Sequence, residues 1–370
     1  MRHNSKLQST DRQVPGWLAY AGMMAISLAL SGCDSRLISS ATPVPTKPLP
    51  DSSQLQTRID AIVDHTLNQR RLNTRDHAAW QIVHAILAFG PDLLIEHEGQ
   101  LVPALGYLQA GNPLTGWNLR PTAHGVLVPV EEGSKTGQGH PDQWLGYLSQ
   151  TGLTPADKIV IGKKSYTIAD LRNQAQWDLV PGMEATWTLM ALSHPSYWKL
   201  TDTWKNRNGE TWNIEKLALM EAQAPVVGGS CGGTHRLYAL AVALNQYRNE
   251  NQIQDVNKLP PAWAVVHARI QEFVTQAQRE QNADGTFSTN YFTRPGNAPR
   301  IDDKISTTGH ILEFLTAALT DQELAEPWVT RSCERLVTLM EIAKNDPVEC
   351  GGLYHAAHGL IIYRARRWGN

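Results

Sequence analysis

Apolar side chains recur at helical spacing through most of the chain. Ile59, Ile62, Val63 and Leu67 follow the i, i+3, i+4 rule of a helix with one buried face. Trp80, Val83 and Leu87 resume it after Asn73-Thr74-Arg75-Asp76, a run that supplies capping side chains. The same reading predicts helices over 168–178, 184–193, 212–223, 232–248, 260–280, 306–319, 322–344 and 351–366. They come in pairs joined by short connections, many punctuated by glycine or proline. One stretch, about 97–167, breaks the helical period. It predicts a strand over 125–130 and a small hairpin over 159–168, turning at 162–165. Within it Pro141 suits a first helical position, which places His140 at a helix start after Gly137-Gln138-Gly139.

One helix of each pair shares a register. Thr234-His235-Arg236-Leu237-Tyr238-Ala239-Leu240, Gly309-His310-Ile311-Leu312-Glu313-Phe314-Leu315 and Tyr354-His355-Ala356-Ala357-His358-Gly359-Leu360 each place a leucine five residues after a histidine. His77 with Ile82 and Trp187 with Leu192 fit the same frame. Cys231-Gly232-Gly233 and Cys350-Gly351-Gly352 repeat in the turns before two of them. The register positions are 77, 187, 235, 310 and 355, and intervals of 48 and 45 residues suit one helical hairpin each. Repeated hairpins either stack into a solenoid or close on themselves. Small apolar runs such as 238–244 suit surrounded helices, whereas 265–279 keeps a charged face, which favours closure.

The turn Asn282-Ala283-Asp284-Gly285-Thr286-Phe287, with Phe273-Val274 and Gln281 before it, resembles the Gln-rich, Asp-Gly-x-aromatic turn of the terpenoid cyclase and protein prenyltransferase superfamily. The resemblance covers about 210–366 and implies an all-α fold, an α/α toroid of helical hairpins with a small β-containing insert. It does not carry an activity. Arg300-Ile301-Asp302-Asp303 lacks the first aspartate of the cyclases' Asp-x-Asp-Asp, and no convincing copy of the prenyltransferases' Asp, Cys and His zinc set is present.

The N-terminus changes the picture of where the body resides. Arg2, Lys6 and Arg12 precede an uncharged, mostly apolar stretch, 17–30, too short to span a hydrocarbon core of about 30 Å. It ends in Leu30-Ser31-Gly32-Cys33, which resembles the lipobox of bacterial lipoproteins. The resemblance implies a signal peptide over 1–32, lipid on Cys33, and a body over 54–370 held at a membrane in the cell envelope, facing the periplasm or the exterior. Pro43, Pro45, Pro48 and Pro50, with Ser39 and Ser40, suit an extended tether over 33–53. Without residues 1–32 the chain carries 30 basic and 34 acidic residues, a net of −4, and no long basic run, which argues against a nucleic-acid partner.

Candidate chemistry follows the shared register. Were the helices to close on themselves, His77, Trp187, His235, His310 and His355 would gather at one rim, in the first turns of parallel helices. Aligned dipoles there disfavour imidazolium and attract anions. His235, His310 and His355 are catalytic candidates, with Asp303 as an acid–base partner. His77, His140, Trp187 and His358 are ligand-binding candidates. The partners expected are the membrane, through the lipid, and an anionic polymer such as a polysaccharide or a small ligand. A non-catalytic binding or scaffolding lipoprotein is the alternative. His355 and His358 with Cys231 or Cys350 would suit zinc by ligand type, and a nucleophilic Cys231 activated by His235 is a further option. The oxidising compartment favours a Cys231–Cys350 disulfide over metal, and neither metal nor cofactor is expected. Trp117, Trp144, Trp187 and Trp212 are candidates to line a cleft, with core packing the plainer reading of each.

Overall fold

The computed structural model describes residues 52–369. The leader, Cys33 and most of the tether lie outside the described residues. Among those described, thirteen helices and four two-stranded antiparallel sheets are formed. The helices are α1 (Ser52–Gln69), α2 (Ala79–Phe89), α3 (Ala104–Gln109), α4 (Gln143–Leu148), α5 (Ile168–Asp178), α6 (Thr186–Leu192), α7 (Ile214–Gln223), α8 (Thr234–Glu250), α9 (Pro261–Arg279), α10 (Ile301–Ala318), α11 (Asp321–Leu324), α12 (Pro327–Ile342) and α13 (Cys350–Trp368). No helix among them is long and apolar enough to cross a membrane.

Local chemistry accounts for several boundaries. Gln81 Oε1 accepts from the Ala78 N–H at the start of α2, and Asp170 accepts from the Thr167 N–H and hydroxyl at the start of α5. Asn213 caps α7 through the Lys216 N–H, and Glu349 caps α13 through the Gly352 N–H. Prolines open α9 and α12 at positions where a missing N–H costs nothing.

The helices pack in a cycle. α2 lies against α4, α4 against α6, α6 against α8, α8 against α10, α10 against α13, and α13 against α2 again. The other helices of ten or more residues pack on members of the cycle: α1 on α13, α5 on α6, α7 and α9 on α8, and α12 on α10. Cycle members are buried over most of their surface. In α6 every residue from Thr186 to Leu192 is buried, whereas α9 and α12 bury one face.

The stretch at 97–167 is more than an insert. It holds α3 and α4, and α4 occupies one place in the cycle. The hairpin forms between Lys158–Ile161 and Lys164–Thr167, with a tighter turn than expected because Lys164 pairs with Ile161. Only Val126–Leu127 of the predicted strand is paired, to Arg120–Pro121. Trp144, Trp187 and Trp212 are core residues, at most 2% exposed. The Asp-Gly turn is structural: Asp284 accepts from the Thr286 N–H and hydroxyl and faces Lys304 and Arg335, while Gln281 donates to the Gly285 and Trp328 carbonyls.

Candidate functional site: a histidine cavity

Two helices of the cycle touch backbone to backbone. A Cβ on Gly309 of α10 would stand 2.6 Å from the Ala356 Cα of α13, and one on Gly359 would stand 3.2 Å from the Gly309 carbonyl oxygen. That approach brings the rings of His310 and His355 to 4.2 Å between centroids. His235, the second residue of α8, lies 5.1 Å from His310 and 4.6 Å from His355. His84 of α2 lies 5.4 Å from His355. On the other side Trp187 of α6 lies 5.2 Å from His235, and His140 stacks on Trp187 at 4.7 Å. Five histidines, from four helices of the cycle and the loop before α4, thus line one cavity of about 400 Å³.

The floor of this cluster is tied together by hydrogen bonds. Glu313, one turn beyond His310, accepts from His355 Nδ1 at 2.9 Å and from His358 Nδ1 at 2.5 Å. His355 Nε2 then accepts from the Tyr147 hydroxyl at 3.1 Å, and Gln143 donates to the Tyr147 oxygen at 3.2 Å. Burial alone would raise the Glu313 carboxyl, but the two imidazoles hold it well below the usual range. Burial and the neighbouring imidazoles push His84 down to about 3, and its Nδ1 donates to the Trp80 carbonyl at 2.6 Å.

The upper tier is left open. His310 Nδ1 donates to the Ser306 carbonyl at 2.7 Å, which leaves its Nε2 buried and without a partner. Neither ring nitrogen of His235 has a hydrogen-bond partner among the described residues, although the side chain is 5% exposed. Cys231 is exposed and sits in a left-handed conformation, φ +46°, in the Ser230–Gly233 turn that leads into α8. Gly232 and Gly233 also have positive φ, and a Cβ on Gly233 would stand 2.3 Å from the Val226 carbonyl oxygen. Burial and the neighbouring His355 and His310 hold His235 well below the usual range. Burial also opposes charge on His310, but the neighbouring Cys231 and Glu313 outweigh it and push His310 up to about 9.

The mouth carries both signs. Lys135 pairs with Glu349 at 3.0 Å, Arg300 with Asp302 at 3.5 Å, and Asp303 joins them around the opening. His140 Nδ1 lies 2.9 Å from both Glu184 Oε2 and Ser230 Oγ, and Ser230 donates to Glu184 Oε1 at 3.0 Å. Burial raises the Glu184 carboxyl, yet His140 and Ser230 hold it below the usual range.

Of the five register residues, Trp187, His235, His310 and His355 meet, and His77 does not. His77 precedes α2 and bonds locally to the Asn73 backbone. His84, seven residues on and so two turns along the same side, takes the expected place. The first-turn placement holds for Trp187 and His235. His310 is the tenth residue of α10 and His355 the sixth of α13, because both helices begin ahead of their histidines. His140 and Asp303 line the cavity, and His358 lies beneath it on Glu313. The Cys231–Cys350 disulfide is not formed, and both thiols are free. The two Cys-Gly-Gly strings are not equivalent: one is an irregular left-handed turn and the other is the first turn of α13. Sequence reasoning missed His84, Tyr147, Glu184, Ser230 and the role of Glu313. A lone acid in the apolar run 309–315 was the available signal for Glu313. No protein-family model and no curated protein matches this sequence.

Proposed function

We propose that this protein is a lipid-anchored envelope enzyme with an α/α-toroid body, whose reaction centre is the histidine cavity. The cycle of six contacting helices, with further helices packed outside it, supports the toroid. The leader and Leu30-Ser31-Gly32-Cys33 support the anchor and the envelope location. One observation carries the enzymatic reading: side chains competent for proton transfer and nucleophilic chemistry converge on an open cavity, and the His310 Nε2 among them has no partner.

Within the cavity, His140 is the group built for proton transfer. Glu184 fixes its Nδ1 and stacking on Trp187 fixes its plane, so Nε2 can serve as base. Cavity size favours a small ligand or the end of a polymer chain over a long groove-bound polymer. An anionic polymer fits the mouth less well than the sequence suggests, because three carboxylates face two cations there. Hydrolysis of a neutral or cationic substrate suits the residues better.

The test is a panel of ester, amide, glycoside and phosphoester substrates with the detergent-purified full chain. At least one hydrolysis is expected, with kcat falling about 100-fold or more in His140→Ala. A well-folded protein that turns over nothing in the panel, and whose His140→Ala variant binds the same ligands, overturns the enzymatic reading.

A further inference from the structure

We propose that Cys231, His235 and His310 together bind a single zinc ion at the top of the cavity, with a fourth position open to substrate or water. The inference deepens the enzymatic reading of the same cavity and rests on it for the use of that open position. The binding itself stands on geometry.

The Cys231 Sγ, one nitrogen of His235 and one of His310 all lie within 4.8 Å of one another. One thiolate and two imidazoles are a borderline-soft donor set that suits zinc in tetrahedral geometry, and three protein ligands leave a vacant fourth site of the catalytic kind. The orientation of His310 is that of a prepared ligand. Its Nδ1–H is committed to the Ser306 carbonyl, the outer contact that metal-bound histidines commonly make, and its Nε2 is buried without a hydrogen-bond partner. His235 is likewise buried with both nitrogens unpartnered. The buried His310 Nε2 left open costs stability unless something binds it. Cys231 is presented by a left-handed turn at the start of the 17-residue α8, which sets its Sγ beside the two rings. Asp302, Asp303 and Glu349 outnumber Lys135 and Arg300 at the entrance, and the excess of one negative charge favours entry of a cation.

A second set, His235, Glu313 and His355, also has its ligand atoms within 4.8 Å. It is a poorer candidate. Both Glu313 oxygens already accept from histidines, and both His355 nitrogens are engaged, so a metal there would have to break bonds that the fold has made. The shared residue His235 is the open one.

The experiment measures metal in the purified full chain by mass spectrometry, then strips it with a chelator and titrates zinc back against a chromophoric competitor. Cobalt replaces zinc for absorption spectroscopy. One ion per chain is expected, with a thiolate-to-cobalt charge-transfer band. Cys231→Ser should abolish that band, and His310→Gln should weaken zinc binding by more than about 100-fold. Cys350→Ser should change neither. Zinc should also protect Cys231 from iodoacetamide. No uptake, or uptake that survives both Cys231→Ser and His310→Gln, overturns the proposal. So does alkylation of Cys231 at the same rate with and without zinc, which would mark a free thiol nucleophile. Metal binding without turnover sinks the enzymatic reading and keeps the metal site. Turnover that persists in the chelated protein, with no metal taken up, does the reverse.

Discussion

The two tiers of the cavity are made of the same residue types and behave differently. In the lower tier Glu313, His355, His358 and Tyr147 satisfy one another. In the upper tier His235 makes no hydrogen bond among the described residues and the His310 Nε2 is buried without one, beside a thiol that is exposed. An unmade bond at a buried polar atom costs about 1–3 kcal/mol. The lower tier therefore reads as architecture that fixes ring positions, and the upper tier as a place reserved for something bound. Histidine content alone would not separate them; the bonding of each nitrogen does.

The largest effect is expected where the lower tier is cut. Glu313→Ala leaves two buried imidazoles without their acceptor and should cost about 3–5 kcal/mol in denaturant unfolding. A loss below about 1 kcal/mol would mean that the floor is not the structural tier. Next comes the backbone contact that sets both tiers in place. Gly309→Ala forces a methyl to within 2.6 Å of Ala356 and should cost about 1–3 kcal/mol, with the His310 and His355 rings driven apart. Unchanged stability and unchanged imidazole NMR shifts would show that the helices separate freely.

A smaller, pH-dependent effect is expected at the mouth. The folded Glu184 carboxyl lies below its usual range, so its stabilisation is present above the ordinary glutamate pKa and is lost as pH falls through the folded value. Glu184→Gln should therefore cost about 1 kcal/mol at neutral pH, and the gap should close below about pH 4. A gap that widens in acid would reverse the assignment. The smallest effect on stability belongs to the upper tier. Cys231→Ser in metal-free protein should shift unfolding by no more than about 0.5 kcal/mol, because the thiol is exposed and bonds nothing in the floor. A large shift there would erase the distinction between the tiers.

Much of the helical body was legible in the sequence, because an apolar stripe at helical spacing depends only on which face is buried. The helix read over 168–178 matches α5, and the start of α8 falls within two residues. Convergence of Trp187, His235, His310 and His355 was legible through their common register. The rest depended on relations that no local pattern encodes. α4 is six residues long and sits in a stretch rich in glycine and proline, so its place among the packed helices left no periodic trace. His84 was hidden because the register pointed to His77, and a frame set by leucine spacing cannot tell a ring in the cavity from one two turns earlier. The pairing expected for Cys231 and Cys350 failed for a similar reason: identical Cys-Gly-Gly strings took different backbone paths.

The contact of α13 with α1 and α2 has a consequence for how the chain reaches this state. Those partners lie more than 250 positions apart in order of synthesis. Until Cys350–Trp368 has been made, the apolar residues Ile82, Val83 and Ile86 lack part of their neighbourhood. Closure is a late, non-local event, and such events slow folding because a long loop must be ordered before its contacts repay the cost. A chain halted before α13 is therefore expected to be a sticky intermediate in place of a smaller stable body, prone to association and cut readily by protease.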